Sequence, residues 1–144
     1  MLISQILQDK SIAGVAFVKP GSSVGDAVKM LSDKKIGAVI VSKDGVHPAG
    51  ILSERDVVGA LGSTGTSCLD DPVDSIMTAK LISCKPGDRA IQVLQTMTEK
   101  RFRHMPVMEG DEMVGLVSIG DVVKARLDEL SQQADALKNM IMGY

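Results

Sequence analysis

The chain has 144 residues, of which 44% are hydrophobic and 24% are charged, a balance typical of a globular domain rather than a disordered segment. Sixteen basic and eighteen acidic residues give a formal charge of −2, which excludes a large basic surface for DNA, RNA or an anionic membrane. No apolar run approaches the roughly 20 residues of a membrane span, and Cys68 and Cys84 lack the spacing of a metal site or a disulfide framework. We therefore expect a cytoplasmic protein with no metal, no nucleic acid and no membrane partner.

The predicted elements begin with a short N-terminal helix. Leu2, Ile3, Ile6 and Leu7 follow the helical spacing and give it one apolar face. This face predicts packing against another helix.

An internal repeat organises most of the remaining chain. Lys19-Pro20-Gly21 recurs 66 residues later as Lys85-Pro86-Gly87. After each of these turns comes an apolar stripe with the spacing of an amphipathic helix. The first stripe is Val24, Ala27, Val28 and Leu31, and the second is Ala90, Val93, Leu94 and Met97. Further along, residues 50–58 match residues 115–123.

Each copy predicts the element order β-α-β-β-α. In the first copy the strands are Val15 to Lys19, Ala38 to Val41 and Gly50 to Leu52, and a helix starts at Ser53. In the second copy the strands are Leu81 to Lys85, Met105 to Met108 and Val114 to Val117, and a helix starts at Ser118. The fold class is therefore α/β (α+β), with two repeats that pack together because one three-stranded sheet cannot bury both faces alone. The predicted boundaries are 11–65 and 77–130 for the repeats and 131–144 for a helical tail, with Gly59 to Ser67 and Asp70-Asp71-Pro72 as the connector.

The pattern Gly-h-h-Ser-x-x-Asp, where h is apolar, ends both copies at a strand-to-helix junction. One interpretation is a helix cap, in which Ser accepts a hydrogen bond from the amide three residues on and Asp returns one. The other interpretation is a ligand site. Unsatisfied amides at the helix start and the Ser hydroxyl would bind a phosphate, while Asp would accept two bonds from ribose hydroxyls. In this second interpretation Gly lets the ligand approach the backbone.

With these motifs, the repeat resembles the cystathionine β-synthase (CBS) domain, and two in tandem resemble a Bateman module. The segments Phe102-Arg103-His104-Met105-Pro106-Val107 and 117–125 look like those of stand-alone CBS-pair proteins, including the plant CBSX proteins. The resemblance implies two repeats about a pseudo-twofold axis. It also implies a cleft on each side that binds AMP, ADP, ATP, S-adenosylmethionine or, in some members, NAD(H).

Carried over by position, the resemblance implies the residues of each cleft. One cleft uses Ala16, Val18, Ile36, Gly37 and Ala38 together with Ser118 and Asp121. The other cleft uses Thr78, Ile82, Phe102, Arg103 and His104 together with Ser53, Arg55 and Asp56. In the first copy Ile40 stands where the family has a proline, as Pro106 does in the second copy.

The two clefts differ in charge. Only the second cleft has cations, Arg55 and Arg103, that can pair with the negative charge of a phosphate. We therefore expect it to be the better nucleotide site. His104 alone is as well explained as a surface or satisfied histidine, and Lys100-Arg101 as the solvated end of a helix. Met97, Met105 and Met108 are predicted core residues.

The C-terminal tail carries a narrow apolar seam. Its members step by four and three residues: Val123, Leu127, Leu130, Ala134, Leu137 and Ile141. This seam predicts either a partner helix, with a homodimer held partly by the terminal helices, or a long helix that folds back on its own domain.

No catalytic motif is found, so the function expected is that of a sensor and not of an enzyme. Its bound adenine nucleotide would change its affinity for another protein. The resemblance to CBSX proteins makes an oxidoreductase or a thioredoxin-like protein one candidate partner. Two alternatives stay open: an enzyme acting on NAD(H) or an adenine nucleotide, and a dimerisation scaffold without a ligand.

Overall fold

The computed structural model describes residues 1–10 and 15–143, where the chain forms five α-helices and two small β-sheets. The mixed α/β class is confirmed. The helices are α1 (Ile3–Asp9), α2 (Val24–Lys34), α3 (Glu54–Thr64), α4 (Ala90–Lys100) and α5 (Ile119–Met142). The strands are β1 (Phe17–Val18), β2 (Ala38–Ser42), β3 (Pro48–Ser53), β4 (His104–Glu109) and β5 (Glu112–Ser118). Within the described ranges no helix is long and apolar enough to cross a membrane. The predicted boundaries at residues 11 and 144 lie outside the described residues.

The chain divides into two compact units. The first-repeat unit comprises Ile12–Ile82 and Met108–Gly115, and the second-repeat unit comprises Met1–Ser11, Ser83–Val107 and Leu116–Tyr144. Each unit has its own aliphatic core. The core of the first-repeat unit includes Val18, Val24, Ala27, Leu31, Val39, Val41, Leu52, Val57 and Val73. The core of the second-repeat unit includes Ile3, Ile6, Val93, Met97, Met105, Val107, Val117, Val122 and Ala125. Met97 and Met105 are therefore core residues as predicted, whereas Met108 is half-buried.

The strand predicted for residues 81–85 does not form, unlike its counterpart β1. In the first repeat β1 runs parallel to β2, and the Ile40 amide donates to the Ala16 carbonyl at 3.1 Å. The residue equivalent to Ile40 in the second repeat is Pro106, which has no amide hydrogen to donate. The segment consequently makes a single parallel bridge between Cys84 and Val107.

Most of the predicted connector between the repeats is helical. Helix α3 continues to Thr64, and a 3₁₀ helix covers Gly65–Asp70. Cys68 and Val73 are buried, and the Val24 amide donates to the Asp71 carbonyl at 2.8 Å. These contacts tie residues 68–73 to the first-repeat unit, whereas residues 61–67 are exposed.

The terminal helices form as predicted, although the tail is not a separate element. Helix α5 runs without a break from the second repeat to Met142, so no boundary appears at residue 131. Helix α1 packs on the start of α5 through Ile3, Ile6 and Val122, which share one core. The later seam residues stay exposed, with 61% of Leu127 and 77% of Ile141 accessible to solvent.

Candidate functional site

Both Ser/Asp junctions are capping boxes with nearly the same geometry. Ser53 is the N-cap of α3; its hydroxyl accepts from the Asp56 amide at 3.3 Å, and its amide donates to Asp56 Oδ2 at 2.9 Å. Ser118 is the N-cap of α5, with matching distances to Asp121 of 3.1 and 2.9 Å. The capping interpretation of the motif is therefore correct. A ligand at these helix starts would have to bind to polar atoms that the cap does not use.

Each helix start is joined to the residues that enter the second strand of its own repeat. The Glu54 amide donates to the Gly37 carbonyl at 3.0 Å, and the Ile119 amide donates to the Arg103 carbonyl at 2.7 Å. Two first-turn amides of each helix are thus bonded internally, one to this carbonyl and one to the cap serine. The expectation that unsatisfied amides would bind a phosphate is therefore wrong for these amides.

The aspartates keep one oxygen that the cap does not use. In both residues Oδ2 accepts the cap bond from the serine amide, and it also accepts from the Ser53 hydroxyl at Asp56 and from the Lys10 ammonium at Asp121. The Asp121 side chain is about one-quarter exposed, at 24%, so solvent or a ligand can reach it. A carboxylate with this unused oxygen can accept further donors such as hydroxyl groups.

Asp121 also has a cation that the sequence did not indicate. The Lys10 ammonium lies 2.8 Å from Asp121 Oδ2 and donates to the Leu116 carbonyl at 2.8 Å. Burial raises the pKa of Asp121, but the hydrogen bonds from Lys10 and Ser118 and the charge of Lys10 outweigh burial and lower it overall. The prediction that only the other cleft has a cation is therefore wrong for this helix start. Lys10 ends α1 far from the motif in sequence, and no pattern marked it.

The strand residues predicted to contact adenine in the first cleft all lie in the first-repeat unit. Val18 and Ala38 are buried, while Ala16, Ile36 and Gly37 are half-buried. Ala38 pairs directly with Ser53 in the β2–β3 register. The unit therefore brings residues 36–38 beside the helix start of its own repeat.

The other predicted residues are divided between the units. Thr78 extends the sheet of the first-repeat unit by exchanging two hydrogen bonds with Ile51, of 2.9 and 3.0 Å. In the second-repeat unit Phe102 and His104 are half-buried and Arg103 is exposed. Ile82 and Arg55 are exposed residues of the first-repeat unit. Since each predicted cleft combines residues of both units, the clefts themselves stay predictions.

The close packing of a neighbouring segment explains why glycine stands at position 50 of the Gly-h-h-Ser-x-x-Asp motif. A Cβ at this position would lie 2.5 Å from the Met77 sulfur and 3.0 Å from the Thr78 carbonyl oxygen. The glycine therefore admits the segment that contains Met77 and Thr78 against β3. The prediction that it admits a ligand is wrong for Gly50.

A second titratable cluster, also missed from sequence, lies at the β2–β3 turn. His47 Nδ1 is 2.6 Å from Asp44 Oδ2, and ligand atoms of His47, Asp111 and Glu112 lie within 4.8 Å of one another. The hydrogen bond to Asp44 raises the pKa of His47. The backbone amide of His47, followed by its side chain and the Val46 amide, lowers the pKa of Asp44. All three residues of the group are exposed, so we assign no metal to it.

The cysteines are free and buried. Burial, assisted by the charge of Asp88, raises the pKa of Cys84 to about 12. Cys84 therefore stays a neutral thiol at physiological pH.

The fold and the paired Ser/Asp helix starts define a tandem of small α/β domains. The sequence profile of the CBS domain matches residues 7–63 and 73–128, and the chain therefore belongs to the CBS domain family.

Known proteins of that family resemble the chain over most of its length. The CBS domain-containing protein CBSX3, mitochondrial, of Arabidopsis thaliana is 38% identical over 84% of this chain, which spans 61% of that relative. A crystal structure of a CBS-domain-containing protein from Agrobacterium tumefaciens has a TM-score of 0.82 and 38% identity, and covers 88% of this chain and 99% of its own. A CBS domain protein of Pyrobaculum aerophilum complexed with AMP shares the fold at a TM-score of 0.76 and 22% identity, over 92% of this chain and 99% of its own.

Proposed function

We propose that the chain is a regulatory module that binds an adenine nucleotide. The observation that carries the proposal is the repeated carboxylate of the two helix starts, which caps its helix with Oδ2 in both repeats. In the proposal the other oxygen takes part in binding the ligand. The Pyrobaculum relative complexed with AMP supports an adenine nucleotide as the ligand class. AMP, ADP and ATP are the first candidates, with S-adenosylmethionine and NAD(H) behind them.

In the proposed complex, each aspartate accepts hydrogen bonds from the ribose hydroxyls. The adenine lies on the strand residues of the other repeat, as the family resemblance implies. Because two first-turn amides of each helix are already bonded, the phosphates depend on side chains, and Arg55 and Arg103 are the candidates. Asp56 therefore belongs to the site that we expect to bind more tightly.

The proposed role is regulation without turnover. Bound nucleotide would change the affinity of the module for another protein and would be released unchanged. An oxidoreductase or a thioredoxin-like protein, which the family resemblance implies, is the first candidate partner. We propose the cytoplasm as the compartment.

Two assays test this role directly. Mass spectrometry of the purified protein should detect a co-purified adenine nucleotide. Incubation with each candidate ligand, followed by chromatography, should recover the ligand intact, because a sensor does not transform what it binds. Steady conversion of NAD(H) or a nucleotide, abolished by Asp56→Asn, would instead establish an enzyme.

A further inference from the structure

Lys10 makes the two helix starts unequal. Oδ2 of Asp121 accepts from the Ser118 amide and from the Lys10 ammonium, at 2.9 and 2.8 Å. On Asp56 the second donor to Oδ2 is instead the Ser53 hydroxyl, at 3.1 Å. A neutral hydroxyl can rotate away from the carboxylate, whereas the ammonium has to break an ion pair.

The position of Lys10 is set by a well-anchored helix. The amides of Ile3 and Ser4 donate to the carbonyls of Asp88 and Pro86, both at 2.9 Å. Ile3 and Ile6 are buried, and the Lys10 amide donates to the Ile6 carbonyl at 3.1 Å, which closes α1. Lys10 therefore stands at Asp121 because α1 places it there.

A pocket beside the ion pair gives the ammonium room to move. Its volume is about 200 Å³. It is lined by Met1, Ile6, Asp9, Lys10, Asp121, Lys124, Ala125 and Asp128. Lys10 is already 34% exposed, and the pocket carboxylates offer it other partners close to its present one.

We propose that Lys10 competes with ribose for Asp121 and so weakens nucleotide binding at this helix start relative to the one at Asp56. Two vicinal hydroxyls bind a carboxylate best when each donates to its own oxygen, and Oδ2 of Asp121 already has two donors. A nucleotide at Asp121 therefore has to displace the ammonium. This inference rests on the proposed function, since it concerns the same carboxylate.

The test compares adenosine with 2′-deoxyadenosine, which lacks the vicinal pair of hydroxyls. Calorimetric titrations use the Asp56→Asn background, so that binding reports on Asp121. Adding Lys10→Met should tighten adenosine binding by about fivefold, the usual scale for a partly exposed ion pair. The affinity for 2′-deoxyadenosine should not change. Lys124→Met is the matched control: it removes a positive charge from the same pocket and should change neither affinity.

The outcomes separate this inference from the proposed function. Unchanged or weaker adenosine binding in Lys10→Met overturns the competition, and an equal change for both nucleosides would show a merely structural role. If Asp121→Asn abolishes adenosine binding while Lys10→Met has no effect, only the role of Lys10 fails. If adenosine fails to bind the wild-type protein and every variant, the competition fails; if AMP fails to bind them as well, the proposed function fails with it.

The ion pair itself can be tested without a ligand. Carbon-13 NMR titration of the Asp121 carboxyl should show that Lys10→Met raises its pKa, because the variant removes the ammonium that lowers it. Lys124→Met should leave that pKa in place. An Asp121 pKa that is the same with and without Lys10 would overturn the proposal.

Discussion

At the scale of single residues, Asp56 and Asp121 each serve a helix and, in our proposal, a ligand. Asp56→Ala should weaken AMP binding by about 2–3 kcal/mol, the usual loss for charge-assisted hydrogen bonds. Asp121→Ala should weaken it less, because Lys10 already occupies its carboxylate and the arginines belong to the other site. Calorimetric titration of both variants measures the difference.

Asp26→Ala is the control for the capping role. Asp26 follows the cap serine of α2 with the same spacing, and its amide donates to the Ser23 hydroxyl at 3.0 Å. Each of the three substitutions should cost about 1 kcal/mol of stability or less. Only the Asp56 and Asp121 variants should also lose AMP affinity. A purely structural motif would instead make all three variants less stable with unchanged affinity.

The second residue-scale prediction concerns His47. Its ring faces Asp44 at Nδ1 and Asp111 at Nε2, with Glu112 nearby, and the hydrogen bond to Asp44 raises its pKa. Proton NMR should therefore find it titrating above the ordinary histidine value of about 6.5. Asp44→Asn should move the pKa back towards that value. A wild-type His47 that titrates at or below 6.5 would contradict the geometry.

The same shift fixes the sign of a pH effect on stability. A pKa that is raised in the folded state favours protonated His47 there. The stability that protonated His47 contributes is fully present below the ordinary histidine pKa of about 6.5. It is lost as the pH rises through the pKa of His47 in the folded protein. Asp44→Asn should flatten this part of the stability profile, whereas His47→Asn should remove it.

At the scale of elements, α2 and α4 end in the same unusual way. Lys35 and Arg101, equivalent positions in the repeats, are left-handed with φ of 52° and 58°. Only glycine adopts this conformation without a steric cost. Lys35→Gly should therefore stabilise the protein by about 0.5 kcal/mol, less than the full relief because glycine also gains freedom in the unfolded chain.

Lys34→Gly, one residue earlier and inside α2, provides the matched control. It should destabilise by about 0.5–1 kcal/mol, since glycine is a poor helix former. Urea denaturation of both variants measures whether each substitution raises or lowers the free energy of unfolding. A loss of stability in Lys35→Gly would contradict the prediction. It would mean that the Lys35 side chain stabilises the protein by more than its left-handed backbone conformation destabilises it.

Element by element, the sequence predicted most of what local patterns control. The helix stripes, the strand pair of each repeat and the Ser caps follow from spacing and capping chemistry, and they form where expected. The lost strand at residues 81–85 depended on the missing amide of Pro106, a partner 20 or more residues away. The helical structure of residues 59–70 was not apparent from their Gly, Ser and Thr content, which is typical of a loop.

The candidate site was less predictable, for the same physical reason. The Ser/Asp pairs were visible because their spacing is local. The Lys10 ammonium reaches Asp121 only because the fold brings distant segments together, as its hydrogen bond to Leu116, 106 residues away, shows. The contact of Met77 with Gly50 also depends on the fold. Contacts of this kind leave no periodic signal in one sequence.

At the scale of the whole molecule, the exposed seam of α5 supports the predicted homodimer. Leu130 and Leu137 are exposed in the single chain, and burial of such a stripe favours association. Light scattering should find a dimer of the full chain. Leu137→Glu should weaken it, whereas Gln132→Glu, on the opposite side of α5, should not.

Truncation after Arg126 extends this test, because it removes the later seam but neither Ser/Asp pair. Nucleotide binding should survive while the dimer weakens. A full-length monomer at micromolar concentration would refute the dimer. An equally stable truncated dimer would assign association to another surface.

The central claim is that the two carboxylates bind an adenine nucleotide, and titration calorimetry with AMP and GMP tests it most directly. We predict saturable binding of AMP, much weaker binding of GMP, and loss of AMP binding in the Asp56→Asn/Asp121→Asn variant. Asparagine keeps a cap acceptor, so the variant should stay folded. Absence of AMP binding, equal binding of GMP, or unchanged binding in a folded double variant would contradict the claim.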